Sequence, residues 1–73
     1  MESRSRNNVR EILMPFMGDL PLSPSVHIDD PVSRAIEVMV SHDRHVIVVL
    51  RNSRPIGQVR LRDAFAFVGI RVP

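Results

Sequence analysis

The sequence Val26-His27-Ile28-Asp29-Asp30-Pro31-Val32-Ser33-Arg34-Ala35-Ile36-Glu37-Val38-Met39 combines a strand signal with a helix signal. Residues 25–28 predict a short strand. Asp30 is a favoured helix-capping residue, and Pro31 is tolerated at a first helical position. The apolar residues that follow recur at i, i+3, i+4, i+7 and i+8, namely Val32, Ala35, Ile36, Met39 and Val40. This spacing predicts a helix over about residues 31–42.

The chain downstream of this helix predicts two strands and a second helix. Residues 45–50 are a run of β-branched and aliphatic side chains without alternation, which is typical of a strand covered on both faces. A polar turn over 51–55 leads to a strand over 56–59, where Gly57 indicates close approach of another backbone. A helical stripe over 61–68 follows, and Gly69 is placed to end it. The stripe consists of Leu61, Ala64, Phe65 and Val68.

The chain upstream of the first strand predicts a short helix and an irregular connector. Asn8 and Glu11 have the spacing of a capping box. Apolar residues at helical spacing follow, and Pro15 limits the helix to about two turns. The stretch 17–25 is rich in Pro, Ser and Gly and predicts irregular backbone. We therefore expect a flexible N-terminus over 1–8, one domain over 9–70 and a C-terminal tail over 71–73. The helical apolar residues are Val9, Ile12, Leu13 and Phe16.

The length and composition predict one small domain that gains stability from a partner. A chain of 73 residues has room for a single domain. It has no Cys, which excludes disulfides and thiolate metal sites. Small cores only narrowly offset the entropy of folding, so a second subunit is the remaining means of stabilisation.

The charge composition does not point to a nucleic acid. All ten basic residues are Arg, and eight acids leave a net charge of +2. The pI of 11.0 reflects the lack of Lys, Tyr and Cys, since little titrates between His and Arg. The Arg51, Arg54, Arg60 and Arg62 cluster has no Tyr or Trp beside it for base stacking, so a solvated rim is the favoured interpretation.

No segment is typical of a membrane protein or of a secreted one. The longest apolar runs, 46–50 and 64–70, are much shorter than the ~20 residues of a membrane helix. The polar start of the chain does not resemble a secretory signal. The expected location is cytoplasmic.

Four segments in order resemble a CBS domain, the regulatory module of the cystathionine-β-synthase type. Residues 26–39 are similar to its opening strand and helix, and residues 9–15 to its lead-in helix. Residues 42–50 are similar to its second strand. Residues 55–65, Pro-Ile-Gly-Gln-Val-Arg-Leu-Arg-Asp-Ala-Phe, resemble its closing signature, which reads Gly, two largely apolar residues, Ser or Thr, two residues, then Asp. The resemblance covers about residues 9–70.

The resemblance implies an α+β fold, a β-α-β-β-α unit with a short N-terminal lead-in helix and both helices on one face of the sheet. Such units pair sheet to sheet and hold adenosine compounds such as AMP, ATP or S-adenosylmethionine between them. This chain has room for one unit. The missing unit would be a second copy, another protein or a further part of a longer chain.

Four departures from the family pattern bear on ligand binding. Arg60 stands where the signature has Ser or Thr, so the expected helix cap is lost unless Asp63 or a ligand compensates, because Arg only donates hydrogen bonds. Val46 replaces a basic residue and Val48 replaces a Pro of the second strand. The connector over 16–25 is longer than in typical members.

The resemblance assigns seven candidate ligand-binding residues, and several have a structural alternative. Asp63 matches an Asp that accepts hydrogen bonds from ribose hydroxyls, although it would also suit the first turn of a helix. Arg60 could contact phosphate or be solvated, and His45 could contact the ligand or be partly buried. Gly57 could admit an adenine ring or serve packing alone. The full set is Val26, His27, His45, Val48, Gly57, Arg60 and Asp63.

The sequence offers no catalytic residues and no metal site. No nucleophile and base are arranged for catalysis, and His42 and His45 need not converge on a metal. The predicted function is a non-catalytic regulatory module of signal transduction that forms a homodimer and binds AMP, ADP or ATP. An unidentified effector protein would read the ligand-bound state. The alternative is an assembly domain without a nucleotide site, which Arg60 and Val46 favour and Gly57 and Asp63 oppose.

Overall fold

The computed structural model describes residues 8–69, so the predicted tail over 71–73 and most of the predicted flexible start lie outside the described residues. The elements in chain order are a 3-10 helix Val9–Ile12, β1 Ser25–His27, α1 Val32–Ser41, β2 Val46–Arg51, β3 Arg54–Arg60 and α2 Leu61–Phe67. The predicted β-α-β-β-α unit is confirmed.

The three strands form one sheet in the order β1-β2-β3. β1 is parallel to β2, as the helical crossover through α1 requires, and β2 is antiparallel to β3. The β2–β3 connection is tighter than the predicted polar turn. Only Asn52 and Ser53 lie between the strands, with φ of 51° and 66°, and β3 is correspondingly longer than predicted.

The core lies between the two helices and one face of the sheet, which we call the inner face. Ile47 and Val59 are directly opposite each other in the register of β2 and β3. Both belong to the core cluster, together with Val26 and Val49 from the sheet and Ala64 from α2. Both helices therefore pack on the same face, as expected.

The apolar stripe of α1 is predicted correctly except at its edge. Val32, Ala35 and Met39 are fully buried, and Ile36 is half-buried. Val40, however, is 59% exposed, and Val38 is buried instead. At 100° per residue, the buried arc centres between Ala35 and Met39 and extends toward Val38, away from Val40.

Asp30 does not cap α1, which corrects the sequence prediction. The N-cap position is Pro31, which makes no side-chain cap bond. The Asp30 Oδ2 atom instead accepts a hydrogen bond from the backbone N–H of His27 (2.8 Å). Because β1 is an edge strand, this carboxylate satisfies a donor that no further strand would meet.

The lead-in helix is a single 3-10 turn rather than a two-turn α-helix. Asn8 caps it as predicted, but its Oδ1 accepts from the N–H of Arg10 (3.1 Å) rather than from that of Glu11. The helix ends at Ile12, before Pro15, so Leu13 and Phe16 are not helical. Met14 instead pairs with Gln58 of β3 through two backbone hydrogen bonds of 2.8 and 2.9 Å. Pairing with an open sheet edge thus replaces the second helical turn.

The opposite face of the sheet, the outer face, is partly covered by the chain itself. We refer to residues 17–24 as the strap. The Met17 N–H donates to Gln58 Oε1 (3.1 Å), and Leu20, Pro21 and Pro24 border a small cavity together with β2. Ile47, Val48 and Val49 are all buried, so the prediction of a strand covered on both faces is confirmed.

A candidate ligand-binding groove

An open groove of about 880 Å³ lies where β2 begins, β3 ends and α2 starts. The register places Val46 opposite Arg60 at this end of the sheet, and α2 follows Arg60 without a loop. The N–H of Leu61 donates to the carbonyl of His45 (2.8 Å), which ties the start of α2 to the start of β2. The groove is therefore built on regular elements that are bonded to one another.

The groove combines an apolar surface with a polar rim. Its apolar lining comes from Val46, Leu61, Phe65 and Ala66. Its polar lining comes from His45, Gln58, Arg60, Arg62 and Asp63. Small-molecule sites are typically of this kind, largely apolar with a few polar groups that orient the ligand.

Arg60 and Asp63, the two charged candidates of the sequence analysis, are bonded to each other. The Arg60 Nε atom donates to Asp63 Oδ2 at 3.0 Å, and the two side chains are 46% and 32% exposed. Arg60 occupies the N-cap position of α2 and makes no side-chain cap bond, as the sequence predicted. This ion pair supplies no acceptor to a backbone N–H of α2, so Asp63 does not replace the missing cap.

The structure brings three of the seven predicted ligand residues into the groove, namely His45, Arg60 and Asp63. Val48 is not in the groove, because it is fully buried at the centre of the sheet. Val26 lies in the core, and His27 is exposed on β1. Its Nδ1 accepts a hydrogen bond from the N–H of Asp29 (3.1 Å).

Gly57 is also outside the groove, and a neighbouring part of the chain explains its small size. A Cβ atom at this position would lie 2.6 Å from the carbonyl oxygen of Met14 and 2.5 Å from Leu13 Cδ1. The close backbone approach predicted at Gly57 is therefore made by the segment that leaves the 3-10 helix.

Sequence reasoning missed several residues that line the groove. Gln58 lies in the groove but reads in the sequence as an ordinary strand residue, and Leu61 and Phe65 read only as part of a helical stripe. Leu61 and Phe65 could have been found from the sequence, because they lie close along α2 to the charged candidates Arg60 and Asp63. Gln58 carried no such signal, since its role depends on the pairing of β3 with Met14.

The described residues, 8–69, hold neither a metal cluster nor a membrane-spanning helix. No group of three or more His, Cys, Asp or Glu side chains is placed to hold a metal ion there. In the same residues, neither helix has the length and apolar character needed to cross a membrane.

Comparison with known proteins gives one family. The family model described as the CBS domain matches residues 9–69. Neither the curated proteins nor the solved structures gave a significant match.

Proposed function

The chain belongs to the CBS domain family, and on that premise we propose that it is a non-catalytic regulatory unit that binds an adenosine nucleotide in the groove beside α2. CBS domains are generally regulatory and often bind nucleotides. The ligand class is AMP, ADP or ATP. A second copy of the chain completes the open side of the site, and an effector protein responds to the ligand-bound pair.

The observation that supports this proposal is the convergence of three different chemistries in one groove. Val46, Leu61 and Phe65 provide apolar surface suited to a purine ring. Asp63 provides two acceptor oxygens, which suit the two hydroxyls of a ribose. Arg60 provides a planar fork of donors, which suits a phosphate group.

The Arg60–Asp63 ion pair is compatible with ligand binding because it is weak. An exposed pair of this kind contributes only about 0–1 kcal/mol. A phosphate dianion carries more negative charge than a carboxylate, so it accepts stronger hydrogen bonds from the Arg60 guanidinium. The phosphate therefore competes for Arg60, and the released Asp63 carboxylate turns to the ribose.

The same ion pair favours the second candidate function, an assembly domain without a nucleotide site. In that case the two side chains satisfy each other and have no further ligand. The two functions differ in one measurable respect, which is whether the groove takes up a nucleotide at all.

Calorimetric titration of the protein with AMP tests the proposal. Asp63→Asn removes the charged ribose acceptor, and hydrogen bonds to charged groups contribute about 1.5–3 kcal/mol. The Asp63→Asn variant has no ion pair with Arg60 for AMP to break, which offsets part of the lost binding energy. We therefore expect AMP binding to weaken by about tenfold. The matched control is Asp43→Asn, which changes an exposed carboxylate outside the groove.

The control variant should bind AMP as the wild type does. If the wild type gives no heat with AMP, ADP or ATP, the nucleotide proposal is wrong and the assembly domain is the candidate that remains. Equal affinities of Asp63→Asn and the wild type would show that Asp63 serves only the helix end.

A further inference from the structure

The centre of the outer face is buried although neither helix covers it. Val48 is opposite Ser25 on one side and Gln58 on the other, so these three residues share a face across all strands. Val48 is fully buried, yet it is not part of the core cluster on the inner face. Another segment of the chain must exclude water from it.

The strap is that segment. Leu20, Pro21 and Pro24 border one cavity with Val46 and Val48. The cavity measures about 10 Å³, which is no more than about one water molecule occupies by this measure. The strap therefore packs closely on Val46 and Val48, two of the side chains that alternation places on the outer face.

The strap is held far less firmly than the strands it covers. One hydrogen bond, from Met17 to the Gln58 side chain, joins it to the sheet in the described structure. Its Met17 and Leu22 side chains are 68% and 51% exposed. Segments with few buried contacts open at much lower free energy than the core does. Strap opening therefore does not require the sheet to unfold.

We propose that the strap is an intramolecular cover of the pairing surface, and that a second copy of this chain docks sheet to sheet only after the strap leaves Val46 and Val48. This inference rests on the pairing included in the proposed function. The occupant is a second copy because an identical apolar stripe is complementary to itself about a twofold axis. The strap thereby sets the monomer–dimer equilibrium.

The first test weakens the strap without changing the sheet. Leu20→Ser removes a half-buried strap contact with the sheet, and the matched control Leu22→Ser changes an exposed leucine of the same strap. Sedimentation equilibrium should give a dimer dissociation constant at least tenfold lower for Leu20→Ser than for the wild type. Leu22→Ser should behave as the wild type does.

A second test measures strap opening directly and does not depend on Leu20→Ser being folded. The chain has no cysteine, so Val48→Cys and Ile47→Cys each introduce one thiol, under the strap and under the helices respectively. At low protein concentration, a thiol reagent should label the Val48→Cys protein at least tenfold faster than the Ile47→Cys protein. High protein concentration should slow that labelling, because the second copy then covers the same surface.

The outcomes separate the two proposals. Equal labelling rates at the two positions would overturn the inference, since the strap would then open only with global unfolding. Fast labelling of Val48→Cys, with Leu20→Ser still monomeric at high concentration, would overturn the sheet-to-sheet pairing itself. Calorimetry with AMP tests nucleotide binding separately, so a failure of the strap inference is distinguishable from a failure of the nucleotide proposal.

Discussion

At the scale of single residues, the conformation and contacts of three positions explain what each residue type does. Gly57 leaves room for the backbone of Met14, and Asp30 satisfies an edge-strand donor. Arg60 occupies a capping position whose backbone geometry, φ −99° and ψ 143°, is that of an ordinary N-cap. Two of these positions give direct predictions.

Gly57→Ala should destabilise the protein by about 1–3 kcal/mol, as is usual when a packed site is overfilled. The added Cβ would meet the Met14 carbonyl at 2.6 Å, and a backbone atom cannot move aside as a side chain can. Urea unfolding measures the change. Adding Leu13→Ala should not restore stability, because the contact with the carbonyl remains and the Leu13 side chain itself packs against the core. Unchanged stability of Gly57→Ala would show that the segment shifts freely.

Arg60→Thr should raise the unfolding free energy by up to about 1 kcal/mol, since Thr at an N-cap accepts from the first turn of α2. The loss of the exposed Arg60–Asp63 pair offsets little of this gain. The same variant should discriminate less between ATP and adenosine. The measurements are chemical unfolding and competition binding with adenosine, AMP, ADP and ATP. Arg62→Thr, two residues beyond the cap position, is the control and should gain no stability.

If the wild type binds adenosine as tightly as ATP, Arg60 does not contact phosphate. That result would leave the capping argument intact, because it depends only on the backbone geometry of α2.

At the scale of secondary-structure elements, the β2–β3 hairpin is the clearest case of backbone geometry that the residues only partly suit. Asn52 and Ser53 both have positive φ, as the two central residues of a type I′ turn require. Asn accepts this conformation readily, whereas Ser does so at a cost. The turn is nevertheless short enough to fix the register of the two strands.

Ser53→Gly should therefore stabilise the protein by up to about 1 kcal/mol. Relief of the left-handed strain exceeds the extra chain entropy that Gly brings to the unfolded state. Thermal unfolding provides the measurement. Ser33→Gly, which places Gly at an exposed position of α1, should instead lower stability by about 0.5 kcal/mol, the difference between the helix propensities of Ser and Gly. Destabilisation of both variants to the same extent would contradict the turn assignment.

At the scale of the whole molecule, the proposed pairing depends on what covers the outer face of the sheet. An uncovered outer face would favour a tight homodimer, as the sequence suggested. The strap supplies part of that cover within one chain. Under the proposed pairing, association is therefore conditional on strap opening, which would suit a regulatory unit whose output is a change of pairing state.

Nucleotide binding should stabilise the whole fold in a salt-dependent way. A ligand present at 100 times its dissociation constant raises the unfolding free energy by about 2.7 kcal/mol. With ATP, the increase should shrink between about 0.1 M and 1 M NaCl, because the screening length falls from ~10 Å to ~3 Å. Adenosine, which has no phosphate, is the control. Thermal shifts that respond equally to salt for both ligands would contradict a phosphate contact.

The sequence by itself determined the features that arise from neighbours along the chain. Helical spacing located α1 and α2, and consecutive apolar residues marked β2 as covered on both faces. Family resemblance over the same residues identified a CBS domain correctly. These signals are local because period, capping preference and glycine placement act within a few residues. The Arg60–Asp63 pair is local too, at i and i+3.

Tertiary structure alone decided the features that depend on which sequence-distant segment packs against a given residue. It selected Val38 over Val40 for burial, although both flank the same stripe. Met14 pairs with Gln58 of β3, and the strap packs against Val48, only in the folded chain. Tertiary structure also moved Gly57 and Val48 away from the groove that holds His45, Arg60 and Asp63. An irregular connector has no hydrophobic periodicity from which its path could be predicted. Its position is instead set by the sheet edge whose backbone groups need hydrogen-bond partners and by the apolar face that it shields from water.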